Sequence, residues 1–132
     1  MATRPADNAP SWMAHLNRLD GAMTRRDTYA MVYAWHLACL EARAVADWEG
    51  MLAVGEAALR IARATGFTLA FTAEARQALH VALFRAQRQR SRAGVHRIAE
   101  AFAALGDLDI VEQCHLIDDA LYRSLDNPGP RS

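Results

Sequence analysis

MVYAWHLACLEARAVADWEGMLAVGEAALRIAR, residues 31–63, is the stretch on which the fold turns. Its apolar side chains recur every three or four residues, the period of a helix with one buried face. Asp47 interrupts the pattern, so the stretch predicts two amphipathic helices joined by a tight turn. The unit returns about forty residues later and half-returns near the C-terminus. With an offset of 44, Met31, Trp35, Ala38 and Ala42 fall on Ala75, Leu79, Ala82 and Ala86. With a further 35 they fall on Ile110, Cys114, Ile117 and Leu121. This is one i, i+4, i+7, i+11 apolar stripe written three times, with Leu37, Val81 and Leu116 apolar beside it. The following helices agree: Asp47 aligns with Ser91, Gly50 with Gly94, and Glu56-Ala57 with Glu100-Ala101. Alanine-rich amphipathic helices slide into register easily, but matched caps, matched glycines and a shared histidine favour true repetition.

The bulk composition is consistent with this reading. The chain has 132 residues, one domain's length, and is 52% apolar with much of that alanine, the best helix former. All-α is the class it predicts. Fifteen basic residues balance fifteen acidic ones, so no global field draws nucleic acid or a membrane surface. Every basic residue is arginine, which together with the alanine content points to a bacterial base-composition bias. The two cysteines, Cys39 and Cys114, sit inside apolar stripes and behave as small hydrophobes, not as a disulfide framework. MATRPADNAP lacks the apolar core of a signal peptide, and no run approaches about 18 uninterrupted apolar residues. A soluble, cytoplasmic protein is the expectation.

Punctuation residues place about six helices. Residues 1–10 read as a disordered N-terminal tail, 11–125 as one helical-repeat domain and 126–132 as a disordered C-terminal tail. Ser11 is the expected N-cap of helix 1, whose apolar face is Trp12, Leu16, Leu19 and Met23. Asp27 or Thr28 caps helix 2, which runs to about Val45. Asp47 caps helix 3, which ends at Thr65-Gly66, a glycine stop signal. Residues 67–71 read as an apolar connector before helix 4, capped by Thr72 and ending in the polar tail 85–90. Ser91 and Gly106 bound helix 5. Asp107 caps helix 6, which ends before Asn127-Pro128-Gly129-Pro130.

Trp35 near the start of one helix, Asp47-Trp48-Glu49 at the turn, and Ala58-Leu59 late in the next helix resemble the tetratricopeptide-repeat family. The likeness covers about Tyr29 to Tyr122 as two hairpins and a closing helix. The first spacing exceeds the usual repeat of about 34 residues, and the family's proline after the second helix is absent. The resemblance implies stacked antiparallel helical hairpins, with an irregular helical bundle as the alternative. It also implies that the first helix of each pair lines a concave groove. The threefold alignment puts His36, His80 and His115 at one equivalent position facing that groove. Tyr33, Gln77 and Glu112 lie one turn earlier, and Leu40, Phe84 and Asp119 one turn later. Arg43, Gln87 and Tyr122 follow, with Arg88 and Arg123 alongside. Mixed polar and aromatic groups in a concavity suit a peptide or a small anionic ligand.

Other patterns are weaker. His36-x-x-Cys39 and Cys114-His115 contain zinc-ligand types, but the stripe turns Cys114 away from His115, so no metal site and no cofactor are assigned. His15 and His96 fall outside the repeat and receive no role. The run FRAQRQRSRAGVHR, residues 84–97, holds Arg85, Arg88, Arg90, Arg92 and Arg97. Arginines there either grip phosphates or an acidic partner or complement a helix C-terminus. Asp107, Asp109 and Glu112 likewise suit a helix N-terminus, or head-to-tail contact with the arginine run of another copy. No nucleophile–base pair, phosphate loop, HExxH or carboxylate dyad is present, so no enzyme is read. The expected function is a scaffold that binds a segment of another protein in its groove, with Arg43, Arg88 and Arg123 favouring an acidic partner. A small-molecule or metal sensor and a self-assembling protein are the alternatives, and the expected state is a monomer or simple homodimer.

Overall fold

The computed structural model describes residues 9–126, which form six α-helices with no strand among them. They are α1 (Ser11–Arg25), α2 (Thr28–Ala44), α3 (Glu49–Thr65), α4 (Thr68–Arg88), α5 (Arg92–Leu105) and α6 (Leu108–Asp126). Pro10 and Asp126, assigned to the tails by sequence, belong to the two ends of the helical domain; the remainder of those tails, but for Ala9, lies outside the described residues.

Several ends follow the sequence. The Asp27 carboxylate accepts from the Ala30 amide at 3.1 Å, and the Ser91 hydroxyl accepts from the Gly94 amide at 3.0 Å, each satisfying an orphan donor. Gly66 and Gly106 close α3 and α5 in the left-handed conformation, with φ of 79° and 80°. Other ends differ. Ser11 lies inside α1 and donates to the Glu41 carboxylate of α2 instead of capping. Trp48, not Asp47, occupies the N-cap of α3, without a side-chain bond. Residues 68–71 are helical, so Thr72 caps nothing; Phe71 is buried edge-on to Trp35, at 5.6 Å between ring centres. Burial of that ring holds the turn in the helix without a polar cap. Asp107 precedes α6 as expected, but its carboxylate takes a bidentate bond from Arg76 of α4 at 2.7 and 3.0 Å.

The helices stack as hairpins in a phase one helix away from the sequence reading. The closest pairs are α1 with α2, α3 with α4, and α5 with α6. Each is joined by a two-residue turn, Arg26–Asp27, Gly66–Phe67 or Gly106–Asp107. The left-handed residue of each turn, Arg26, Gly66 and Gly106, recurs at intervals of 40 residues. Longer loops join one hairpin to the next. Between hairpins, α1 packs on α3 and α3 on α5, while α2, α4 and α6 make no comparable contact with one another. The odd helices are therefore the tighter layer and the even helices the more widely spaced one.

Glycines allow that tight layer. A Cβ on Gly50 would lie 2.7 Å from Trp12 Nε1, and one on Gly94 would lie 2.8 Å from Trp48 Cε2. α3 and α5 thus each present a glycine on which the indole at the start of the previous odd helix rests. The three aligned stripes face the core: the members from α2 and α4 are all buried, as are Cys114 and Leu121 of α6, with Ile110 and Ile117 partly so. Trp35 lies at the centre, 2% exposed, its indole N–H donating to the Val54 carbonyl of α3 at 2.9 Å.

Candidate interaction surface

Helical periodicity that buries one stripe must turn the opposite one outward, and every residue nominated for the groove is exposed. Tyr33, His36 and Arg43 lie on α2. Gln77, His80, Phe84, Gln87 and Arg88 lie on α4, and Glu112, His115, Asp119, Tyr122 and Arg123 on α6. All are on the even layer, whose helices make no close contact with one another, so they do not line a groove between adjacent packed even helices. Nor do the histidines form a row on neighbouring helices packed side by side. His36 stands edge-on beside Trp35, His80 packs 4.9 Å from the Phe102 ring, and His115 borders a cleft between α5 and α6. The offset that aligned them is correct for burial; the neighbours of each helix differ.

What the even layer does share is exposed apolar surface. Tyr29, Tyr33 and Leu40 of α2 protrude, as do Phe67, Leu69 and Phe84 at and along α4. Leu108, Leu116, Tyr122 and Leu125 do so on α6. The odd helices expose one large apolar side chain, Met13. Tyr29 and Tyr33 stack with rings nearly parallel, and Arg88 lies 5.8 Å from the Phe84 ring centre. Exposed apolar side chains scattered singly are ordinary; here they are gathered on one layer.

The arginine run is mostly engaged within the chain. Arg85 reaches back to α2 and donates to the carbonyls of Ala42, Arg43 and Asp47 at 2.9 to 3.1 Å. It thereby caps the C-terminus of another helix, not its own. Arg90 bonds Ser124, Arg92 bonds Asp118, and Arg97 stacks on Trp48. This leaves Arg88 beside Phe84 and offers no comb of free cations for phosphates.

Sequence reading missed His96. It lies one turn beyond Arg92 on α5, and both face Asp118 of α6. Arg92 bonds the two carboxylate oxygens at 2.8 and 3.2 Å, and His96 Nε2 lies 2.9 Å from one of them. Arg92 also stacks 4.7 Å from the Tyr122 ring centre. The hint in the sequence was the i, i+4 pair Arg92 and His96 on one side of α5, although its partner is 22 residues beyond His96 and reaches it only through the turn at Gly106. His96 and Asp118 edge a cleft of about 450 Å³ whose floor includes Val95, Ala99 and Cys114. Burial pushes the Cys114 thiol up, away from the thiolate a nucleophile requires.

Hydrogen bonds from Arg92 and then His96 hold the Asp118 carboxyl down at about 2. A carboxylate with a lower value in the folded than in the unfolded chain stabilises the fold above its unfolded value of about 4. That contribution is lost as pH falls from about 4 towards 2. Asp118→Asn is therefore expected to cost about 1 kcal/mol at neutral pH, an exposed-rim network being worth little more. The difference from wild type should shrink from about pH 4 downwards and be largely gone by pH 2. Urea midpoints of both proteins at pH 7, 4 and 2 check this, and a constant gap across the range would refute it.

Compared with protein-family models, curated proteins and solved structures, the chain finds no match. Among the described residues no helix is long and apolar enough to cross a membrane.

Proposed function

We propose that this chain is a scaffold that binds a segment of another protein across the layer formed by α2, α4 and α6. The single observation supporting this is the segregation of exposed tyrosine, phenylalanine and leucine onto that layer, interleaved with His36, His80, Arg43 and Arg88. Aromatic and arginine side chains are those that anchor protein interfaces. A stack of short hairpins offers them on a rigid support, because each hairpin is held by its neighbours. The tetratricopeptide-like reading is supported by the stacked hairpins and the glycines at their contacts, although turns 40 residues apart exceed that family's repeat of about 34. Arg43, Arg88 and Arg123 are exposed and favour an acidic segment.

The test is capture from a lysate of the source organism by wild type and by a Tyr33→Asp, Phe84→Asp double variant. Both residues are exposed, so helicity should be unchanged while a partner retained by wild type is lost about tenfold or more, as for removal of interface anchors. A His36→Ala, His80→Ala, His115→Ala variant run beside it reads the histidines separately. Equal retention by the Tyr33/Phe84 variant and wild type would remove this layer from the function.

A further inference from the structure

Among the described residues the stack ends on two uncovered faces, and they are unlike. At the C-terminal end, Gly94, Ile98 and Phe102 of α5 are buried on the side that meets α4 and α3. Val95, Ala99 and Ala103, about 100° further round the helix, floor the 450 Å³ cleft with Cys114 of α6. That cleft is the position a next odd helix would occupy, just as α3 lies against α1 and α2 and α5 lies against α3 and α4. At the N-terminal end, α1 turns Trp12 and Leu19 inward and leaves Arg18, Gly21 and Arg25 along an apolar groove of about 290 Å³ shared with α2. In helical stacks an end without a polar cap is a surface left unfinished.

Charge distinguishes the ends. Residues 92–126 contain seven acidic side chains against three arginines; Asp107 and Asp118 are held by Arg76 and Arg92, and Glu100 stands at the cleft. The outward side of α1 presents Arg18 and Arg25, while its one carboxylate, Asp20, pairs with Arg60 of α3. Two copies meeting by the same end would oppose like charges, whereas opposite ends attract.

We infer that a second copy of this chain docks head to tail, its α1 entering the α5–α6 cleft with Arg18 and Arg25 towards Glu100. The contact is heterologous, so it leaves one free end at each side and continues to add copies. It extends the tight layer of odd helices from one molecule into the next. Tyr33 of α2 and His115 of α6 border the two docking surfaces, whereas Phe84 does not, so the contact overlaps partner capture at one edge and is tested through Arg18, Arg25 and Glu100 instead.

Sedimentation equilibrium from about 10 µM to about 1 mM, the range of weak specific contacts, tests it. The weight-average mass should rise with concentration past twice the monomer and fall when salt is raised. An Arg18→Glu, Arg25→Glu variant and a Glu100→Arg variant should each stay monomeric with unchanged helicity. An equimolar mixture of the two should associate, since each retains the end the other needs. A wild type that is monomeric throughout would overturn the inference, whether a terminal segment, another protein or nothing fills the cleft. A mass that saturates at the dimer, or variants that assemble like wild type, would overturn it equally.

Discussion

Trp35→Ala is expected to lower stability by about 3–5 kcal/mol, the cost of deleting a buried aromatic side chain. Trp35 is 2% exposed, meets Phe71 edge-on, and is the one side chain whose N–H reaches across to the Val54 carbonyl. Its removal leaves a cavity where α2, α3 and α4 converge and takes from Val54 a partner outside its own helix. Domains of this size hold about 5–15 kcal/mol in all, so the loss consumes a large part of the total. The melting temperature should drop by about 10–20 °C, at about 3–4 °C per kcal/mol. Trp35→Phe keeps most of the ring volume and loses the hydrogen bond, and should cost about 1–2 kcal/mol. If thermal melts show Trp35→Ala within 1 kcal/mol of wild type by the same conversion, Trp35 is not the centre of the core.

The second large effect concerns the glycines under the indoles. In an ordinary helix Gly→Ala gains about 1 kcal/mol. At Gly50 the new methyl would sit 2.7 Å from Trp12 Nε1, 2.9 Å from its Cδ1 and 3.1 Å from the Ala42 Cβ. Trp12 is buried and hemmed in on both sides of the contact, so overpacking of about 1–3 kcal/mol outweighs the propensity gain. Gly50→Ala should be destabilising by about 1–2 kcal/mol. Gly94→Ala faces a similar 2.8 Å approach to Trp48, but Trp48 is only half-buried and can tilt outward, so its cost should be smaller. The decisive experiment is a double-mutant cycle. In a Trp12→Ala background, Gly50→Ala should become neutral or stabilising, a coupling of about 1–3 kcal/mol. Additive effects in denaturant titrations would show that the close approach is not what selects glycine there.

Much of this architecture is legible in the chain before any packing is considered. The six helices follow from apolar period. Their ends at Asp27, Gly66, Ser91 and Gly106 follow from local chemistry, since a side-chain acceptor or a left-handed residue acts within three or four positions of itself. The buried stripe follows too, because the same angular spacing that places Met31, Trp35, Ala38 and Ala42 on one face determines which side chains cannot be solvated. For the same reason the candidate surface residues are exposed as the pattern requires.

Tertiary structure alone decided which helix each buried face meets. Periodicity orients a helix about its own axis and contains no information about its neighbour, so the hairpin phase, the two layers and the side on which His36, His80 and His115 emerge were open. Residues 67–71 lacked a polar cap and read as a connector, yet Phe71 is held in a helix by Trp35, a contact 36 positions away. Arg85 looked like a complement to its own helix and instead caps α2, and Asp118 gathers Arg92 and His96 across a turn. Such long-range pairings depend on how closely two helices approach, as where Trp12 lies on Gly50, Leu79 on Gly55 and Trp48 on Gly94. That approach depends on the shapes of both surfaces together, and one strand of sequence specifies only one of them at a time.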